Sequence, residues 1–272
     1  VISVVILTKN EAGDIADAIR SVAFSGDVHV FDSLSSDGTQ QIARDLGATV
    51  HERAFDNYAT QRNASLTVPQ FRYDWILILD ADERPTPELA WEMLAAVQNA
   101  PRDVAAFRLR RHDYLWDTWL KHAQITPYYT RLVRRGRARY IREINEVIEV
   151  DGSILELSAP LNHYPFSKGI AHWVTKHNTY STMEAQLLAS GAAFDDASWN
   201  TAFFGKDRAE RRRAQKALFF RVPARPLVKW LYMMFFRGAI LDGYAGLTYS
   251  TLQSFYEYLI ELKRREILRT RS

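Results

Sequence analysis

The sequence predicts an α/β fold built on a mostly parallel sheet, on three observations. Continuous apolar runs at 2–7 and 75–80 read as strands covered on both faces. Between such runs apolar residues recur at helical spacing, as Ile15, Ile19 and Val22 do. The two patterns alternate four times in the first hundred residues, and a βαβαβαβα order implies parallel strands joined by right-handed crossovers.

The elements follow in order. "ISVVIL" (2–7) is a strand, and "EAGDIADAIRSV" (11–22) a helix after a polar turn. "DVHVFD" (27–32) is a second strand that ends in an acid, and "SSDGTQQIARDLGA" is a loop and short helix stopped at Gly47. "TVHERAF" (49–55) is the third strand, "YATQRNASL" (58–66) a short helix and "WILILD" (75–80) the fourth and most apolar strand. "TPELAWEMLAAVQNA" is a helix with Thr86 as N-cap, Pro87 at its first position and Glu88 in its first turn. From about residue 104 short strands and turns extend the sheet in mixed directions. Beyond Pro165 the pattern is helical, at 167–190, 206–221, 226–241 and 247–268. The expected division is a catalytic domain at 1–165, with halves at 1–100 and 101–165, and an amphipathic helical region at 166–272.

Composition narrows the function classes. With 272 residues, 47% of them hydrophobic and 25% charged, the chain can bury a core. It has no cysteine, which excludes a disulfide framework and a zinc–thiolate site and fits a reducing cytoplasm. The opening "VISVVILTKNEAG" lacks the length and basic lead-in of a secretory signal. The net charge of +3 conceals an asymmetry: residues 1–100 carry 7 Lys/Arg against 15 Asp/Glu, the remainder 28 against 17. A basic second half suits an anionic partner, or simply a solvated basic face.

Ligands of open α/β sheets sit beyond the carboxyl ends of the strands. Thr8 and Asn10 follow the first strand, Asp32 ends the second, and Asp80 and Asp82 close the fourth in "WILILDADERPTPE". An acid-x-acid pair there suits Mg²⁺ or Mn²⁺ bridging a diphosphate, since such ions share phosphate oxygens and keep several waters. Taken alone, such a triplet more often marks a surface turn; its position after a buried strand is what favours a site.

Four blocks, "SVVILTKNEAGDIADAIRSV", "VFDSLSSDGTQQIARDLGATV", "FDNYATQRNASL" and "WILILDADERPTPEL", together resemble the inverting family 2 glycosyltransferases of GT-A (Rossmann-like) fold. They are most similar to the bacterial branch that contains the lipopolysaccharide inner-core glucosyltransferases. "INEVIEVDG", "LNHYP" and "FRGAILDGYAGL" extend the likeness more loosely. The resemblance implies that Thr8, Asn10 and Glu11 line a nucleotide pocket, with Glu11 near the ribose and Asp32 accepting a hydrogen bond from a uracil N–H. It places Arg62 near base or diphosphate with Asn63 assisting, Asp80 near ribose and metal, and Asp82 as the main metal ligand. His163 becomes a further metal ligand, although a plain loop histidine fits the sequence as well. The family's base is a carboxylate, often in a His-Glu pair; here it falls on Glu146, with Glu143 the nearby alternative and Asn145 where His is frequent. Inverting transfer needs such a base for the acceptor hydroxyl and a Lewis acid for the departing diphosphate.

Two further stretches carry signal. "RLVRRGRARYIR" (131–142) has six Arg and no acid, fit to cradle an anion or to face water. The tail sets aromatic runs such as "WLYMMFF" (230–236) among cations, too short to span a bilayer but suited to its interface. Seven large apolar residues in a row cannot all face one core unless buried all round.

The expectation is a metal-dependent inverting glycosyltransferase, peripheral to the cytoplasmic face of a bacterial inner membrane. It takes a UDP-sugar with Mn²⁺ or Mg²⁺ and glycosylates a lipid-linked glycan, either lipopolysaccharide core or a polyprenyl-diphosphate oligosaccharide. A sugar nucleotidyltransferase would open with a Gly-rich basic loop, which "ILTKNEAGD" lacks; a non-catalytic membrane adaptor on a degenerate sugar-nucleotide fold is the other alternative. The acidic first half and apolar tail count against nucleic acid.

Overall fold

The run Ile2–Thr8 forms β1, and six of its seven residues are buried. A strand so apolar on both faces must lie inside a sheet that is itself covered on both sides. It does: β2 (Val28–Asp32) and β4 (Trp75–Asp80) flank it, both parallel. β3 (Thr49–Glu52) continues the parallel set beyond β2. On the other side β8 (Tyr128–Arg134) runs antiparallel to β4 and to β6 (Val104–Leu115). β12 (Leu161–His163) lies parallel to β6, and β5 (Glu83–Pro85) closes that edge antiparallel to β12. The order is β3-β2-β1-β4-β8-β6-β12-β5, with β11 (Ser153–Glu156) alongside the first half of β6. This is the mixed, mostly parallel sheet expected.

The computed structural model describes residues 1–141, 147–191, 198–205, 208–220 and 222–270. They divide into two compact units, Val1–Trp116 with Thr126–Ser167, and Asp117–Ile125 with Lys168–Ser272. Segment 117–125 thus packs with the helical unit, although in sequence it lies inside 101–165.

In the first unit, alternation along the strands sorts side chains onto two faces. Ile2, Val4, Ile6, Leu77 and Leu79 meet α1 (Ile15–Ser21) and α4 (Pro87–Asn99) through Ile15, Ala18, Leu89 and Met93. Val5, Ile76 and Ile78 face the other way, with Ala59 of α3 (Tyr58–Thr67) and the hairpin of β9 (Ala138–Ile141) and β10 (Val147–Val150). The short α2 (Thr39–Asp45) precedes β3, and Gly47 ends that connection at φ 82°. Thr86 caps α4, its hydroxyl accepting from the Leu89 N–H at 3.2 Å. The third strand stops at Glu52 rather than 55, because Arg53 turns back to Asp56 and Gln61.

The second unit holds the short β7 (Thr118–Trp119) and the helices α5 (Gly169–Ala189), α6 (Trp199–Phe204), α7 (Arg208–Phe219), α8 (Arg225–Leu231) and α9 (Gly243–Thr270). The helix expected over 226–241 is interrupted. After Leu231 the chain opens into a π-helical turn (Tyr232–Phe236), turns left-handed at Gly238 and makes a 3₁₀ turn (Ala239–Asp242). The buried Asp242 carboxylate binds 117–125 by accepting from the backbone N–H groups of His122 and Ala123 at 2.9 and 2.7 Å. Among the described residues no helix is long and apolar enough to cross a membrane.

Candidate active site

The strand order turns at β1, with β2 and β3 on one side and β4 on the other. That reversal opens a crevice at the carboxyl ends. Thr8 pairs in register with Asp32, and Leu7 with Asp80, so both acids reach the same rim on opposite sides of β1. Two constellations stand there.

The first binds two loops together. Asp32 is fully buried and its carboxylate accepts four hydrogen bonds: from the Thr8 hydroxyl (2.7 Å), the Ser35 N–H (2.7 Å), the Ser35 hydroxyl (2.6 Å) and the Gln40 amide (2.7 Å). Burial alone would raise its pKa, and these donors reverse that, holding it below the usual carboxylate range. Its acceptor capacity is filled, so a nucleotide base reaching Asp32 must displace a donor, and the Gln40 side chain is the one not tied to the strand ends. Asn10 adopts φ 55° and accepts the Ser36 N–H at 2.9 Å, while the Glu11 N–H donates to Thr39 at 2.8 Å. Residues 8–12 and 33–39 therefore form one cradle.

The second is a chain of charges under the acid-x-acid turn. Arg62 donates to both oxygens of Asp80, at 2.9 and 3.1 Å. Arg131 bridges Asp80 at 2.9 Å and Glu83 at 2.6 Å, and Arg111 reaches Glu83 at 3.3 Å. Glu83 is fully buried, and one of its oxygens accepts the Asp80 N–H at 3.1 Å. Register puts Glu83, His163 and Asp113 side by side, and His163 Nδ1 hydrogen-bonds Asp113. The ring's other nitrogen, Nε2, faces Asp82 at 3.4 Å. Burial would raise the Asp80 carboxyl, but the guanidinium groups of Arg62, Arg131 and Arg111 hold it well below the usual range. Burial would likewise depress His163; its bonds to Asp113 and Asp82 win and push it up to about 9.

Charge counting separates the two acids of the pair. Arg62, Arg111, Arg131 and the protonated His163 balance Asp80, Glu83, Asp113 and Asp82, and among the described residues Asp82, its side chain 30% exposed, is the one of these acids whose cationic partner is an imidazole rather than a guanidinium. Asp82 and His163 thus face each other, and an ion held between them would take the place of the Nε2 proton. Nδ1 engaged by a carboxylate is what fixes Nε2 toward a metal in histidine sites, and oxygen-seeking divalent ions take their remaining ligands from phosphate and water. Among the described residues no group of three acids or histidines is clustered for an ion. Asn63 is placed apart from these donors: its amide exchanges two hydrogen bonds with the Tyr140 backbone, at 2.8 and 2.7 Å, and fastens α3 to β9. Glu146, with Glu143 and Asn145, lies outside the described residues.

Glu83, Arg111, Asp113 and Arg131 had no individual role in the sequence reading, although Arg131 falls in the basic stretch 131–142. Glu83 stood beside the pair in "DADE", and the arginines lie in alternating strands that look solvated until their partners, 28 to 51 residues away, are known.

Residues 3–154 match the family described as glycosyl transferase family 2. The chain is 30% identical to a Rickettsia felis protein described as an uncharacterized glycosyltransferase, over 98% of this chain and 90% of that one. It is 27% identical to the lipopolysaccharide core biosynthesis glycosyltransferase LpsC of Rhizobium meliloti, over 70% of this chain and 73% of the other. Among solved structures, glucosyl-3-phosphoglycerate synthase of Mycobacterium tuberculosis, in complex with Mn²⁺, UDP and glucosyl-3-phosphoglycerate, overlaps 40% of this chain and 43% of its own. That overlap has a TM-score of 0.35 at 21% identity, too partial to carry an argument.

Proposed function

The chain belongs to glycosyl transferase family 2, and on that premise we propose that it transfers a sugar, with inversion, from a UDP-sugar to a lipid-linked glycan at the cytoplasmic face of a bacterial membrane. The acceptor is either a lipopolysaccharide core or a polyprenyl-diphosphate oligosaccharide; the likeness to LpsC favours the former. The observation that supports this reading best is Asp82, a part-exposed carboxylate at the carboxyl ends of the strands that pairs with a titratable imidazole, His163 Nε2 at 3.4 Å, and, among the described residues, with no guanidinium.

Asp82 and His163 would hold Mn²⁺ or Mg²⁺, which when bound neutralises charge on a departing diphosphate. Asp113 keeps the His163 ring turned toward Asp82. Arg62 and Arg131 leave Asp80 no oxygen free of a cation, so its part is to fix the turn that presents Asp82. Thr8, Asn10, Glu11 and Asp32 form the nucleotide cradle, and Glu146 takes the proton of the acceptor hydroxyl.

The test is UDP release from a panel of UDP-sugars with Mn²⁺ or Mg²⁺, with and without membrane lipid extract. Release that depends on lipid and vanishes in Asp82→Ala is the expected result. Pyrophosphate release would instead favour a nucleotidyltransferase, and UDP-sugar hydrolysis indifferent to Asp82→Ala would favour an adaptor. Glu146→Gln is expected to lower turnover severely with UDP affinity unchanged; equal loss of both would mean that another group is the base.

A further inference from the structure

Alternation along β6 divides its second half into two rows. Arg111 and Asp113 turn into the charge network of the site, while Arg108, Arg110, His112 and Tyr114 form the other row, exposed or half-buried. Neighbouring strands widen that row into a strip. Register sets Tyr128 of β8 beside Arg110, and Glu156 of β11 beside Arg108. Tyr164, one residue past β12, stacks on Tyr114 with ring centres 5.2 Å and planes 21° apart. The Tyr164 N–H donates to the Asp82 carbonyl at 2.9 Å, so the tyrosine end of the strip adjoins the acid-x-acid turn. β9 and β10, which bracket Glu146 in the sequence, pack on the same face of the sheet, where Tyr140 and Ile148 join Ala106.

Charge along the strip is uneven. Glu156 accepts from Arg108 Nε at 3.0 Å and from the Tyr128 hydroxyl. Arg110 forms no ion pair among the described residues; its guanidinium lies over the Tyr128 ring, 4.6 Å from the centre. Burial holds His112 below its ordinary value, so it adds little charge at neutral pH. One acid thus meets two guanidinium groups, and Arg110 is the exposed cation left over.

From this strip we infer an acceptor subsite that selects an acidic glycan, with a sugar ring on Tyr114 and a carboxylate or phosphate on Arg110. The C–H face of a pyranose packs on an aromatic ring, and a planar guanidinium takes carboxylate or phosphate oxygens in pairs. Stacking on Tyr128 holds the Arg110 plane in place for that purpose. Tyr114 and Arg110 stand about 13 Å apart along the strand, so a chain of sugars reaches both and a single sugar does not. The inference deepens the proposed transfer and rests on it for the word acceptor, but the ligand class follows from the strip alone.

The experiment titrates the full chain, without donor or metal, with short oligosaccharides followed by ligand-detected NMR. Trigalacturonate is compared with galactotriose, and maltotriose 6-phosphate with maltotriose, so that the members of each pair differ in charge alone. In at least one pair the acidic member is expected to bind about 10-fold tighter, and the pair that shows it names the anionic group selected. Arg110→Gln should bring acidic and neutral members level. Arg110→Glu should reverse their order, a result that loss of the fold does not produce. Tyr114→Leu should weaken both members several-fold and keep their ratio, whereas Arg20→Gln, exposed on α1, should change nothing. Equal binding of both members in both pairs, a preference that survives Arg110→Gln or falls equally with Arg20→Gln, or binding indifferent to Tyr114→Leu would overturn the inference. Because no sugar nucleotide is present, such a failure leaves the transferase reading standing. Absence of UDP release with the Arg110-dependent preference intact would sink that reading and leave the strip as a site for acidic glycans.

Discussion

Asp80 and Asp82 are the same functional group two residues apart, and their surroundings give them opposite duties. Asp80 is clamped by Arg62 and Arg131, whose side chains are 11% and 7% exposed. Asp80→Asn leaves both buried guanidinium groups short of a counter-charge, which costs about 3 kcal/mol when one partner of a buried pair is removed. Asp82→Asn strips no guanidinium of its partner and leaves the His163 imidazolium its bond to Asp113, so it should change stability by about 1 kcal/mol or less. Urea denaturation of the two variants, set beside UDP release, checks this: Asp80→Asn should lose stability and activity together, Asp82→Asn activity alone. Equal destabilisation would show that Asp82 too is a structural anchor. A second residue-scale prediction concerns acid. The folded-state pKa of Asp32 is depressed, so its contribution to stability is complete above the unfolded value, about 3.9, and is lost as pH falls through the lower folded value. Asp32→Asn should therefore melt below the parent at pH 6, and the gap should narrow below about pH 4. A gap that widens on acidification would mean that Asp32 is not the stabilising anion.

At the scale of elements, Gly246 shows how closely α9 approaches its neighbour. A Cβ there would fall 1.9 Å from the Ala239 carbonyl oxygen and 2.8 Å from Asp242 Cβ. Gly246→Ala must push the 3₁₀ turn away, and with it the Asp242 carboxylate that holds 117–125. Overpacking of this kind costs about 1–3 kcal/mol, so the variant should melt measurably lower; an unchanged melting temperature would mean that the turn yields freely. That contact could not be read from the sequence, because the apolar spacing over 226–241 is helical throughout and only the left-handed Gly238 breaks it. β1 and β4 were legible for the opposite reason: a strand buried on both faces has no choice of register to hide. The rim acids Asp32 and Asp80 were legible with them, since each follows directly from where its strand must stop. The network beneath was not. Arg111 and Arg131 sit on β6 and β8, Glu83 on β5 and Arg62 on α3, and such charges look solvated until the strand order brings them together.

For the whole molecule the basic, aromatic second half poses the larger question of what covers it. The run Trp230–Phe236 resolves as its composition required: Met233 and Met234 are buried, while Phe235 and Phe236 are 63% and 85% exposed. Leu241 and Tyr244 are likewise exposed, at 72% and 74%. Large apolar side chains exposed in this number point to an interaction surface, and the interfacial plane of a bilayer is its proposed partner. Deleting everything after residue 221 is a poor test, because α9 packs on α5 and its loss would uncover Trp173, Ala185 and Leu188. Phe236→Asp with Leu241→Asp avoids that difficulty, since both side chains already face outward. Burial of two such side chains in an apolar phase is worth at least about 3 kcal/mol, so partition onto vesicles should fall more than about 100-fold. The melting temperature in lipid-free buffer should stay where it was. Undiminished partition with an unchanged melt would assign the surface to a protein neighbour, and a lowered melt without lipid would mean that it is covered within the chain.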